Sequence, residues 1–232
     1  MQAITALGSA ITQLFYPHTC AGCGTDKIKR DASLCWHCLS ELPATGFAGQ
    51  KDNPSEKMLW GRLPFVAAHA GFYLNSDSLM EQLVYQFKYK HQKALAEQLG
   101  FLLGEQLKES GRFDVEALVP VPLHPKKVRQ RGYNQAAVIC NGMARQLDLP
   151  VVENVLLRKK VNISQTRLDR TARWENSRFL YCVEHTHRLR HKRVLLVDDV
   201  LTTGATLESC GLLLADIPGV TVSVATVCIS SL

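Results

Sequence analysis

The most constraining stretch of this chain is Val194-Leu195-Leu196-Val197-Asp198-Asp199-Val200-Leu201-Thr202-Thr203-Gly204-Ala205-Thr206. A short continuous apolar run of this kind reads as a strand covered on both faces, the pattern of a parallel sheet flanked by helices. The run ends in two carboxylates. A turn of small and hydroxyl residues follows and leads into a helix over Thr206–Ala215. Parallel sheets bind ligands at the C-terminal ends of their strands, and the amides of such a turn, with the helix N-terminus, suit a phosphate group. Thr202, Thr203 and Thr206 add hydroxyl donors, and Gly204, before Ala205, permits close backbone approach. Asp198 and Asp199 stand where they can accept hydrogen bonds from sugar hydroxyls or hold a divalent metal. The plainer alternative is a pair of strand-end carboxylates that cap the next helix. A Walker A loop is excluded, because no Gly-Lys-Ser/Thr is present.

Elsewhere the pattern predicts strands over 65–74, 117–121, 151–157, 193–197 and 220–228. A long helical pattern runs from Ser78 to about Glu109, with Asn75, Ser76 and Asp77 as cap candidates and a break near Lys88–Lys90. A second helix is expected from Asn134 to about Leu147. Lys126–Gly132 reads as a basic loop, and so does Arg158–Asn176. Alternating strands and helices argue for an α/β fold with a parallel sheet.

At 232 residues there is room for one domain and a small appendage, and 46% apolar with 21% charged residues excludes general disorder. The sequence holds no stretch of about 18 uncharged apolar residues, so no integral membrane span is expected. Met1–Phe15 lacks the Lys and Arg of a secretory signal, and the expected location is cytoplasmic. Ile4, Leu7, Ile11, Leu14 and Phe15 recur at helical spacing, which predicts an N-terminal amphipathic helix over residues 3–15, within a segment 1–16. A cysteine module is expected over 17–45, a linker rich in Pro, Gly, Asn and Lys over 46–64, and the main α/β domain over 65–232.

Cys20, Cys23, Cys35 and Cys38 form C-x2-C-x11-C-x2-C. Each C-x-x-C places two thiolates on one tight turn, and two such turns close a tetrahedral zinc site. Two disulfides are the alternative, which a cytoplasmic address disfavours. Four thiolates leave no coordination position for a substrate, so the zinc reading is structural. His18 and His37 are close enough to be ligands, but with four cysteines at hand they read as packing or solvent-facing residues. Cys140, Cys182, Cys210 and Cys228 stand singly and read as small core residues.

Charge is unevenly distributed. Val121–Arg193 carries 16 basic and 5 acidic residues in a chain whose net charge is only +6. Such a segment suits a polyanion such as a nucleotide phosphate, pyrophosphate or nucleic acid; the alternative is a solvated basic face.

The run Val194–Thr206 resembles the phosphoribosyl pyrophosphate (PRPP) motif of type I phosphoribosyltransferases. The whole chain is similar to the ComF family of competence and GntX-like DNA-utilisation proteins. The marks are the cysteine knuckles, Phe87-Lys88-Tyr89, Val119-Pro120-Val121-Pro122-Leu123, Arg131-Gly132-Tyr133-Asn134-Gln135, and Ser164-Gln165-Thr166 with Arg173 and Asn176. The resemblance implies a phosphoribosyltransferase-like parallel sheet with a small N-terminal zinc-knuckle domain. It implies Asp198 and Asp199 on the ribose hydroxyls, Mg²⁺ bound with PRPP, and Thr202, Thr203, Gly204, Ala205 and Thr206 around the 5-phosphate. Pro122 and Leu123 fall where the family places its pyrophosphate loop, with Arg129 and Arg131 nearby, and Arg167 and Arg173 belong to a loop that closes over the site. Two classes of function are implied: a pentosyl transferase whose acceptor the sequence does not name, or a non-catalytic protein that binds PRPP and single-stranded DNA beside the competence machinery.

Overall fold

The computed structural model describes residues 18–159 and 180–230. The expected amphipathic helix, Arg167, Arg173 and the Ser164-Gln165-Thr166 mark lie outside the described residues.

Four strands, β1 (Ala68–Leu74), β2 (Ala117–Pro120), β5 (Arg193–Leu201) and β6 (Thr221–Ser230), form one sheet in the order β1-β6-β5-β2. All three pairings are parallel. β3 (Leu156–Arg158) and β4 (Tyr181–Val183) make a separate antiparallel pair. The strand expected over 151–157 is thus shorter and displaced, and Val151 makes only a single bridge to Leu118.

Side-chain alternation divides the core between the two sheet faces. Leu195 and Val197 of β5 join Ala225 and Val227 of β6 on one face, under α3 (Leu79–Tyr89), α4 (Lys93–Ser110) and α6 (Gln135–Leu147). Val194, Leu196, Val222 and Val224 face the other way, towards α7 (Ala205–Ala215). α4 and α6 interlock closely: a Cβ on Gly142 would lie 2.0 Å from the Glu97 carbonyl oxygen. The helix break falls where the sequence places it. Ser78, rather than the preceding three residues, caps α3 by accepting from the Glu81 amide, and Glu81 accepts in return from Asp77 N, a reciprocal capping pair.

Two stretches differ from the sequence reading. Lys126–Gly132 is not a loop: α5 (Pro125–Arg131) occupies it, with Pro125 in its first turn and Gly132 at φ 78° closing it. Proline early and glycine just past the end are helix boundary signals that the density of charge obscures. The 46–64 stretch is not a loose tether either. It contains α2 (Pro54–Leu59), capped by Asn53, and buries Ser55, Glu56 and Leu59. Glu56 accepts from the amides of Asp52 at 2.6 Å and Ala68 at 3.2 Å, and pairs with Arg112 at 2.6 Å. The turn-forming Asn-Pro is here an N-cap followed by a first helical residue.

The cysteine module, with α1 (Trp36–Ser40), sits on α3 and α4. Cys20, Leu34, Cys35 and Cys38 belong to the same buried cluster as Leu83 and Phe87. Gln86 donates to the Ala21 carbonyl at 2.5 Å, and the Ser33 amide donates to Gln98 at 2.7 Å. Among the described residues no helix is long and apolar enough to cross a membrane.

Candidate functional site

The four cysteines meet in space, each sulfur within 4.8 Å of the others, with Cys23 Sγ and Cys35 Sγ 3.6 Å apart. Sulfurs on a tetrahedral zinc at the usual bond length lie about 3.8 Å apart, so the donor set fits that ion. Burial pushes the Cys20 thiol up. Backbone N–H groups of Cys35, Cys23 and Gly22 outweigh it and bring the group down from 9.0 to about 6. Cys38 moves the opposite way, raised by burial and then by the neighbouring sulfurs. One thiolate thus discourages the next, a conflict that a divalent cation relieves. A Cβ on Gly22 would lie 2.6 Å from Cys38 Sγ, so the first knuckle closes only around glycine. His18 bonds the Ala32 carbonyl and His37 is exposed, leaving the cage to sulfur. Of the single cysteines, Cys140, Cys210 and Cys228 are buried and Cys182 is half-buried.

The second site lies where β2 stops. Pro120 pairs with Val197, and β5 continues to Leu201 beside β6 alone. Asp198 and Asp199 therefore project, from opposite faces of the strand, into a cleft of about 190 Å³ at the strand ends. Lys88 Nζ lies 3.0 Å from Asp199 Oδ1, with both side chains less than one-fifth exposed. The Asp199 amide donates to Asp198 Oδ1 at 2.8 Å. Burial first, and the Asp199 charge second, raise Asp198 from 3.8 to about 7. The site thus holds one carboxylate in an ion pair and a second whose proton is held far more tightly than an ordinary carboxyl holds it.

Cations surround the pair from distant parts of the chain. Arg158 stacks on Tyr181 at 5.4 Å, and its buried Nε has no hydrogen-bond partner among the described residues. Gln135 Nε2, on the wall formed by the start of α6, is a second buried donor with no partner among them. Arg131 donates to Gln135 Oε1 at 3.0 Å and lies over the Tyr89 ring at 5.0 Å. Tyr133 donates to the Phe87 carbonyl, which joins the Phe-Lys-Tyr and Arg-Gly-Tyr-Asn-Gln motifs at one edge of the cleft. Two buried donors at the wall of the cleft suit an acceptor group, and the guanidinium suits an anionic one.

Asp198, Asp199, Thr206, Pro122, Leu123 and Arg131 all line this cleft. Thr202, Thr203, Gly204 and Ala205 form the turn beside it, with Gly204 at φ 75° as the N-cap of α7. Arg129 is exposed on α5 and is not among the lining residues. Lys88, Gln135 and Tyr181 were not singled out as site residues from the sequence. Lys88 and Gln135 sit within quoted motifs and were legible in principle; Tyr181 carries no local signal.

The family model described as "Phosphoribosyl transferase domain" matches residues 134–230. Competence protein F of Haemophilus influenzae is 31% identical over 203 residues, covering 84% of this chain and 83% of that protein. The chain belongs to the competence protein F family. Within that similarity, the DNA utilization protein YhgH of Shigella flexneri is 28% identical over 210 residues, covering 86% of each chain. Among solved structures, an adenine phosphoribosyl transferase from Trypanosoma brucei superposes with a TM-score of 0.38 at 17% identity, over 67% of this chain and 69% of that one. The glutamine PRPP amidotransferase of B. subtilis gives 0.42 at 15% identity, over 60% of this chain and 30% of that one.

Proposed function

We propose that the cleft binds PRPP, with Mg²⁺, and that the protein is a phosphoribosyltransferase-type member of its family acting where incoming DNA is handled. The reading is carried by one juxtaposition: two adjacent carboxylates, and Thr206 from the end of a hydroxyl-rich turn, in a cleft walled by Lys88, Arg131 and Arg158. Asp198 and Asp199 accept from the ribose hydroxyls, and residues 202–206 hold the 5-phosphate through amides and hydroxyls. Pro122, Leu123, Arg131 and Gln135 face the pyrophosphate. Mg²⁺ would enter with the ligand beside Asp198 and Asp199 and would supply neutralisation of the pyrophosphate charge. In transfer, a nitrogen nucleophile of the acceptor would bond to C1 as pyrophosphate leaves with the C1–O electron pair through an oxocarbenium-like state, and the protein's part is positioning and neutralisation of the leaving group. The cysteine cage holds one structural Zn²⁺.

Mg²⁺ with PRPP is expected to raise the melting temperature of the wild type, and Asp199→Asn with Thr203→Ala is expected to abolish the rise. No rise in the wild type at millimolar PRPP removes the assignment.

A second reading, a non-catalytic protein holding PRPP and single-stranded DNA, is favoured by a different observation. Tyr85 and Tyr89 on α3 are half exposed with rings 5.2 Å apart, Lys90 stands 6.0 Å from Tyr85, and Arg131 covers Tyr89. Aromatic faces interleaved with cations suit stacked bases and phosphates. Pyrophosphate release from PRPP with any of a panel of acceptors supports transfer. Salt-sensitive oligonucleotide binding lost in Tyr85→Ala/Tyr89→Ala, with no turnover, supports the second reading.

A further inference from the structure

The stretch that reads as a linker reaches the turn before α7. Arg62 follows Gly61, whose φ of 69° turns the chain back after α2. Its Nε and Nη2 donate to Glu208 Oε2 at 2.9 and 2.6 Å. Its Nη1 donates to the Thr203 carbonyl and, at 3.4 Å, to the Met58 carbonyl. These bonds occupy nearly all of the guanidinium's N–H groups, so the side chain is committed to protein partners rather than to a ligand. The contact is tightly packed: a Cβ on Gly204 would lie 2.9 Å from Arg62 Nη1, and one on Gly211 would lie 2.6 Å from Leu63 Cδ1.

Glu208 stands in the first turn of α7, whose amides follow the turn 202–206. A carboxylate there favours the helix N-terminus, but it repels a phosphate held at the same amides. The Thr203 carbonyl is likewise an acceptor beside a site that needs donors.

We infer that Arg62 is a positioning residue for the phosphate turn. It neutralises Glu208 and ties back the Thr203 carbonyl, so that the turn offers amides and hydroxyls to a phosphomonoester. The inference rests on the reading of this turn as the ribose-phosphate seat, and it adds a residue from ahead of the matched domain at 134–230.

Calorimetry of the full chain with ribose 5-phosphate tests it, with circular dichroism and melting temperature recorded for every variant. Arg62→Met is expected to weaken binding about tenfold or more. Arg62→Lys, which keeps the charge but loses the fork, falls between. Arg62→Met/Glu208→Gln recovers the part of the loss due to the Glu208 charge, and not the part due to the freed Thr203 carbonyl. A bracing role alone predicts no recovery, so a double variant as weak as Arg62→Met overturns the inference, and so does wild-type affinity in Arg62→Met. Should Arg62→Met not fold, Glu208→Gln alone decides. It is expected to bind more tightly than wild type, and weaker binding overturns the inference. If the wild type binds neither ribose 5-phosphate nor PRPP, the ribose-phosphate reading itself falls and takes this inference with it.

Discussion

The cysteine cage and the cleft both crowd like groups together, but they are assembled in opposite ways. All four thiols come from the stretch between Cys20 and Cys38, two tight turns that bring their sulfurs within 4.8 Å of one another. The cleft takes its carboxylates from one strand and its cations from α3, the end of α5 and β3. Three sulfurs of the locally built cage, those of Cys20, Cys35 and Cys38, share the core cluster with Leu83 and Phe87 while Cys23 is exposed, an arrangement suited to stability. A cleft built from distant elements is open, raises Asp198 above its ordinary pKa and leaves buried donors without partners among the described residues, the features of a site rather than of a core.

That contrast is tested first at the cage. Cys38→Ser should release the metal and cost about 4 kcal/mol or more, because a lost ligand also opens the shared core. Metal analysis beside thermal melting checks it, and a metal-free variant as stable as wild type would dissolve the distinction. Next comes the ion pair in the cleft. Lys88→Met should cost about 2 kcal/mol near neutral pH by leaving Asp199 partly buried and unpaired, and in an Asp199→Asn background it should cost almost nothing. Denaturant titration of the four proteins gives the coupling directly.

The effect at Asp198 is one of pH. Its carboxyl holds a proton more tightly folded, at about 7, than at its ordinary 3.8. The stability it contributes is complete below the lower value and is lost as pH rises through the upper one. Asp198→Asn should therefore leave melting nearly unchanged at acid pH and raise it progressively until the gain levels off above neutrality. A gain of the same size at every pH would show that burial is not what strains the group. The smallest effect is expected for Arg129→Ala on the exposed face of α5. Stability should move by less than about 0.5 kcal/mol, and PRPP should raise the melting temperature as much as in wild type. A lost shift would extend the cleft beyond its present walls.

Legibility followed the range of the interactions. The knuckles, the strand–turn–helix at 194–215 and the break after Tyr89 each depend on near neighbours, and sequence reasoning placed them. It missed α5 because Pro125 and Gly132 act as boundary signals only when the charged residues between them are allowed a helix. It misread 46–64 because turn-forming residues look alike whether they cap a packed helix or link two modules. Nothing near Glu56 in the sequence announces Arg112, and nothing near Arg62 announces Glu208.

By itself the chain therefore determined two local arrangements: a sulfur cage and an acid-edged, hydroxyl-rich turn, both short enough for spacing to dictate geometry. The folded sheet decided which charges answer the acids. Lys88 and Arg158 are far apart along the chain and meet Asp198 and Asp199 only because β5 outruns β2. That encounter is set by strand order and length, which no local pattern encodes.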